Sequence, residues 1–263
     1  MRRNIGLLLM ASIFVMLSCK SMKNDGLIPV TAPSEQALAL YNEAYNAMTE
    51  LDIARFDEVM PQIWKIDEDF FMANYLMVIY ETNYMHDSAG IARYTERALN
   101  TKAKLSKGEE MLKEILVKRA QNRNADISGI ANEIIAAYPK DFWGYYELAG
   151  YEGLVNNHEG QIAAINVAIE KSNQPAFAYN YLGYTQMANG KMDEARAAFD
   201  KYIELAPNQP NPYDSKGDYF MEVKDYKNAY QSYMKAHELD SLWGVKKAEK
   251  AKIMMDSTGV AIN

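Results

Sequence analysis

From Ser34 onward, apolar residues recur at three- and four-residue spacing, in stretches of similar length separated by short polar breaks. SEQALALYNEAYNAM opens the series, with Ser34 suited to cap a helix and Glu35 close to its positive end. DIARFDEVMPQIWKI, EDFFMANYLMVIYETN, SAGIARYTERAL, KGEEMLKEILVKRAQN and ISGIANEIIAAYP follow. After them come DFWGYYELAGYEGLV, HEGQIAAINVAIE, AFAYNYLGYTQMAN, MDEARAAFDKYIEL, NPYDSKGDYFMEV, YKNAYQSYMKAHEL and LWGVKKAEKAKIMM. The pattern predicts thirteen helices, six pairs and one over. No run alternates apolar and polar residues at strand length between turn signals, so the expected class is all-α. Pro61 falls inside the second predicted helix and is expected to kink it or end it early.

The pairs repeat. Tyr179, Leu182 and Gly183 align with Tyr145, Leu148 and Ala149 at an offset of 34, and Tyr213 and Gly217 follow 34 further on. In the second helices Ala195, Phe199 and Pro207 match Ala229, Tyr233 and Ser241, and Pro139 lies two periods before Pro207. Small residues sit where helices would cross, aromatics where they would wedge, and proline where the unit ends. This pattern resembles the tetratricopeptide repeat (TPR). The resemblance is regular from Phe142 to Leu239 and degenerate from Ser34 to Asp141, where the period stretches between Asn100 and Gly108. It implies a right-handed alpha-alpha superhelix, a TPR-like solenoid of about six helix pairs closed by a C-terminal capping helix. Gly183 and Ala195 then permit close approach within a pair, Phe199 fills the gap to the next, and Pro207 stops the second helix. The run PNQPNPYDSKGDY resembles a turn of bacterial repeat proteins in which an Asn-Pro-Tyr-Asp-Ser string opens the next unit. Pro212 suits a first helical turn, and Asp214 and Ser215 its positive end.

In this family the first helix of each pair lines the concave face. The resemblance places Trp143, Tyr146, Gly150, Gly153 and Leu154 there from one unit, and Phe177, Asn180, Tyr184, Met187 and Ala188 from the next. The third unit contributes Asn211, Asp214, Asp218, Met221 and Glu222. The expected partner-binding groove is Trp143, Tyr146, Phe177, Asn180, Tyr184, Met187, Asp214 and Asp218, aromatic at one end and acidic at the other. Aromatics with an amide suit an extended peptide or a helix, and the acidic end favours a basic segment. The alternative is that these aromatics pack on the N-terminal repeats and leave no open groove.

The N-terminus changes the picture. MRRNIGLLLMASIFVMLSCK has a basic head, an apolar run from Ile5 to Leu17 too short for a comfortable span, and Ser18 before Cys19. It resembles the lipobox of bacterial lipoproteins, with Met16 and Leu17 departing from the usual residues and Ser18 fitting. That resemblance implies cleavage before Cys19, lipidation of its thiol and a membrane-held mature chain. An ordinary secretory signal with a chance cysteine is the other reading. Lys20 after the cysteine leans towards the outer membrane, facing the periplasm or the cell surface. KSMKNDGLIPVTAP keeps no period and reads as a tether. The expected organisation is 1–18 signal peptide, 19–33 flexible tether, 34–141 degenerate repeats, 142–241 regular repeats and 242–263 capping helix and tail.

Charge and composition exclude more than they assign. A formal net charge of -7 argues against a sequence-blind grip on nucleic acid, and one cysteine allows no intrachain disulfide. There is no HExxH, glycine-rich phosphate loop or GxSxG. His86, His158 and His237 lie in widely separated units, which disfavours a shared metal, and acidic pairs such as Asp193 and Glu194 fall at helix starts. The 16 methionines and 19 tyrosines at helical spacing read as packing. Neither catalysis nor a cofactor is expected. The leading expectation is a membrane-tethered scaffold binding other envelope proteins or peptides through its concave face. The alternative is a periplasmic ligand-binding component of a transport system, with an apolar pocket among Phe70, Phe71, Tyr75 and Tyr80.

Overall fold

A computed structural model describes residues 25–50 and 52–257. The expected signal segment, Cys19 and the last six residues of the expected tail therefore lie outside the described residues. The regular structure within them is helical: α1 (Glu35–Glu50), α2 (Ile53–Trp64), α3 (Phe71–Tyr80), α4 (Ser88–Asn100), α5 (Lys107–Gln121), α6 (Ser128–Ala137) and α7 (Phe142–Leu154). Then come α8 (His158–Lys171), α9 (Pro175–Ala188), α10 (Met192–Leu205), α11 (Pro210–Glu222), α12 (Tyr226–Leu239) and α13 (Val245–Ser257). These are the thirteen helices the sequence pattern predicts. Ser34 Oγ accepts from the Ala37 N–H at 3.1 Å, as a cap should. Pro61 sits inside α2, which ends within a turn at Trp64. None of the described helices is long and apolar enough to cross a membrane.

The regular units owe their repetition to one turn, built three times. The second residue after each first helix adopts a left-handed conformation: Asn156 at φ 59°, Gly190 at φ 71° and Lys224 at φ 60°. Each is followed by an N–H that reaches back five residues: Asn157 to Glu152 O at 2.8 Å, Lys191 to Gln186 O at 2.9 Å and Asp225 to Phe220 O at 2.8 Å. The left-handed residue satisfies carbonyls that the helix end would otherwise leave unpaired. The wedge repeats as well. A Cβ on Gly183 would meet the buried Phe199 ring at 2.5 Å, and one on Gly217 would collide with Tyr233 in the same way. The tyrosine ahead of the wedge closes its own turn, with Tyr145 Oη donating to Pro139 O at 2.9 Å and Tyr213 Oη to Pro207 O at 3.0 Å.

The N-terminal half is built differently. All ten residues of α3 are buried, and a helix without a polar face has to be surrounded. It pairs with α4 and also lies against α1. Its core runs from Ile28 on the N-terminal strap through α1 to α7 and on to Phe177 in α9, whereas the C-terminal units hold small separate clusters. Beyond Tyr80 the helix widens into a π-helical turn, Glu81–Met85, ending at His86 in the left-handed region.

Residues 25–33, expected as part of the flexible tether, are instead strapped to the body. Lys140 N donates to Gly26 O at 2.9 Å, and Ile28 N to Asp141 Oδ2 at 3.0 Å. Thr31 donates through its N–H and its hydroxyl to the Glu109 carboxylate, at 2.8 and 2.5 Å. These bonds span more than seventy residues, which no local pattern announces. Asp141 also caps α7 through Trp143 N at 3.0 Å. Burial pushes its carboxyl up to about 6, against the pull of those two N–H donors.

Gly183→Ala and Gly217→Ala should each lower stability by about 1–3 kcal/mol in denaturant melts, because the buried rings cannot withdraw. Lys224→Gly should raise it by about 1 kcal/mol by relieving the left-handed residue. Asp141 has a folded-state pKa above its unfolded one, so it binds its proton more tightly when folded. Stability from this group therefore grows as pH falls from above the folded value towards the unfolded one. Between about pH 7 and about pH 4.5 the native chain should gain about 2 kcal/mol relative to Asp141→Asn, read as the difference between their unfolding free energies.

Candidate functional site

The concave face carries a cleft of about 500 Å³. Helices α7, α9 and α11 form its floor, as the repeat pattern requires, contributing Tyr146, Phe177, Asn180, Tyr184 and Asp214. Its far side comes from outside the regular units, through Ile53, Tyr84 on the π-helical turn, and Trp243 ahead of α13. Tyr181 and Asn211 complete the lining.

Five of the eight expected groove residues thus meet in one place; the other three take other roles. Trp143 is only 2 % exposed, its ring held 5.7 Å from Tyr45 and 5.2 Å from Tyr75. It belongs to the core because α1 and α3 fold across the position that would be open in an isolated array. Met187 packs on the Ala195, Phe199 and Tyr219 cluster between units. Phe177 lines the cleft but is itself buried, edge-on to Phe142 at 5.4 Å, so it serves as wall and not as a free contact.

The acidic end is already occupied. Lys247, from α13, places Nζ 2.6 Å from Asp214 Oδ2 and 2.9 Å from both Asp218 oxygens. Asp218 further accepts from Tyr184 Oη at 2.8 Å and Tyr233 Oη at 2.7 Å. Burial raises the Asp214 carboxyl although Lys247 pulls it down. Burial lowers Lys247 itself, and the two carboxylates more than offset that. The expected preference for a basic partner segment is corrected here: the chain supplies its own cation.

Asn180 is different. It is 7 % exposed, and no described group donates to its Oδ1. Around it stand Tyr146, whose hydroxyl accepts from Asn83 Nδ2 at 2.6 Å, and Tyr184, whose ring lies edge-on to Phe199 at 5.2 Å. The cleft therefore offers aromatic area and one buried acceptor lacking a donor.

The expected pocket among Phe70, Phe71, Tyr75 and Tyr80 is filled, since those rings are core. A second, larger cleft of about 930 Å³ lies one helix face away, between α3 with its π-helical turn and α4 on one side and α5, α7 and α9 on the other. Gly150 and Leu154, two of the positions the repeat pattern turns inward, line this one. Sequence reasoning missed Ile53, Tyr84 and Trp243 because they reach the concave face from segments outside the regular repeat. Among the described residues no group of three histidine, cysteine, aspartate or glutamate side chains could hold a metal. His86 Nδ1 lies 3.0 Å from Thr82 O, and His237 Nδ1 lies 3.2 Å from Trp243 O.

Residues 176–209 match the tetratricopeptide repeat family. No curated protein matches the chain. Among solved structures, yeast Tom70 is similar at a TM-score of 0.53 and 12% identity, over 89% of this chain and 55% of that one. MamA is 20% identical over 72% of this chain and 96% of that chain, at a TM-score of 0.42. YrrB, described as a TPR protein with an unusual peptide-binding site, is 13% identical over 74% and 97%, at 0.44. The chain is thus an all-α solenoid of the tetratricopeptide type, with a tetratricopeptide repeat at residues 176–209.

Proposed function

We propose that this chain is a membrane-tethered scaffold of a bacterial cell envelope that holds an extended segment of another envelope protein in its concave cleft. The observation that carries the reading is the Asn180 Oδ1, buried among aromatics with no donor. A buried acceptor left unpaired costs about 1–3 kcal/mol, and a backbone N–H is the donor an extended peptide brings. Tyr84, Tyr146, Tyr184 and Trp243 add the rigid aromatic surface on which such segments settle. Because Lys247 already pairs with both Asp214 and Asp218, the partner needs no basic residue at that end. A peptide partner also fits the formal charge of -7, which disfavours nucleic acid.

The tether rests on the sequence. Arg2, Arg3, the apolar run and Cys19 support a lipid-anchored chain, and Lys20 supports the outer membrane, facing the periplasm or the cell surface. In the sequence five residues, 20–24, separate Cys19 from Asp25, where the strap begins.

Peptides selected from a random library against the native chain should bind Asn180→Leu at least about tenfold more weakly, the factor one hydrogen bond to a buried group supplies. The variant should melt no lower than the native chain, since it removes an acceptor that folding leaves unpaired. Equal binding by Asn180→Leu, or failure to select any peptide, would sink the groove assignment. For the tether, the chain extracted from membranes should carry a lipid adduct that Cys19→Ala lacks, read by intact mass; identical masses would remove the anchor.

A further inference from the structure

The larger cleft shares Asn83, Tyr146 and Tyr181 with the concave one, and Asn83, on the π-helical turn, donates from Nδ2 to Tyr146 Oη in their common wall. Such turns are rare and concentrate at functional sites. Most of the wall is hydrocarbon: Val78, Ile79, Ile91, Leu99, Leu116 and Leu154. At about 930 Å³ it falls within the range of small-molecule sites.

The π-helical turn and α4 contribute polar residues that are mostly exposed, and the buried and half-buried charged and phenolic groups come from α5, α7 and α9. Glu147 is fully buried, accepts from Tyr75 Oη, and pairs with Arg119 Nη1 through Oε2 at 2.5 Å. That ion pair engages only the Nη1 corner of a guanidinium that carries five N–H groups. Arg119 Nη2 lies beside Gly150, another residue of the cleft, and no described acceptor meets it or Nε. Tyr146 Oη accepts from Asn83, and Tyr181 Oη accepts from Gln161 Nε2 at 3.3 Å, so each hydroxyl keeps its own proton to give. Burial raises both phenols, which keeps them protonated. One turn beyond Arg119, Arg123 is exposed, with no ion pair among the described residues. The carboxylates of the cleft are Glu147, already met by the Tyr75 hydroxyl and the Arg119 guanidinium, and exposed Glu96 on α4.

A wall of the cleft rich in donors and poor in free acceptors calls for an acceptor ligand. A planar carboxylate has lone pairs enough for a guanidinium edge and two phenols together. A dianionic phosphate would place twice the charge beside buried Glu147, and a cation would find no free acceptor near Arg119. We propose that this cleft binds a small monocarboxylate with an apolar body, its carboxylate on Arg119, Tyr146 and Tyr181 and its hydrocarbon along α3 and α4.

Isothermal titration of the full chain with 4-phenylbutyrate, 4-phenylbutan-1-ol and 4-phenylbutylamine tests this. The acid should bind saturably and about tenfold or more tighter than the alcohol, as a charge-assisted hydrogen bond implies, with the amine weakest. Ala92→Trp, an exposed position on α4 that faces the cleft, should abolish binding with the helical melt unchanged. Arg119→Gln combined with Glu147→Gln removes the buried pair as a unit, leaving no lone charge, and should bind acid and alcohol equally. No saturable binding, an acid no tighter than its alcohol, native-like binding by Ala92→Trp, or a preference for the acid that survives the double substitution would each overturn the assignment.

Discussion

A helix with no polar face has to be enclosed, and in this chain that helix is α3. Its ten residues, Phe71 to Tyr80, are buried on every side, so α1, α4 and α7 close around it. Enclosure explains why the N-terminal half behaves as one core and not as a row of units that touch only their neighbours. It carries Tyr45 and Tyr75 onto Trp143 and seals that ring away from solvent. It also leaves Tyr75 facing Glu147, a carboxylate that can lie at such depth only because a phenol and a guanidinium meet it there.

The two halves then make a working surface that neither has alone. The regular units present the inner faces of α7, α9 and α11, and the enclosed half brings Ile53, Tyr84 and Asn83 to meet them. At the far end α13 closes the array and inserts Lys247 between Asp214 and Asp218. What stays open is a short aromatic cleft around Asn180, with the larger apolar cleft behind the Asn83–Tyr146 bond. The open surface is thus narrowed to the span between α7 and α11, while Asp214 and Asp218 at its α11 end seat the cap through Lys247.

Much of this was legible in the sequence where the physics is local. Helix number, the Ser34 cap and the 34-residue period all follow from side-chain spacing and turn chemistry, whereas Gly183, expected to ease approach at Ala195, meets the Phe199 ring that spacing assigned to the gap before the next unit. The same period brings Tyr146, Asn180 and Tyr184 into the lining of one cleft. Trp143 was misplaced because its position in the unit says where the ring points, and only the course of α1 and α3 says what meets it. The strap from Asp25 to Pro33 gave no signal, since its bonds run from backbone N–H groups to Glu109 and Asp141 far along the chain. Nothing local distinguishes Lys247 from Lys246 or Lys250.

Native-state amide hydrogen exchange tests the enclosure of α3 most directly. If α3 is the centre on which the rest is built, the amides of Tyr75 to Ile79 exchange only through global opening, at the free energy of unfolding, while those on the outer face of α13 exchange far earlier. Exchange of the α3 amides at the rate of α13, well before the chain unfolds, would contradict the account.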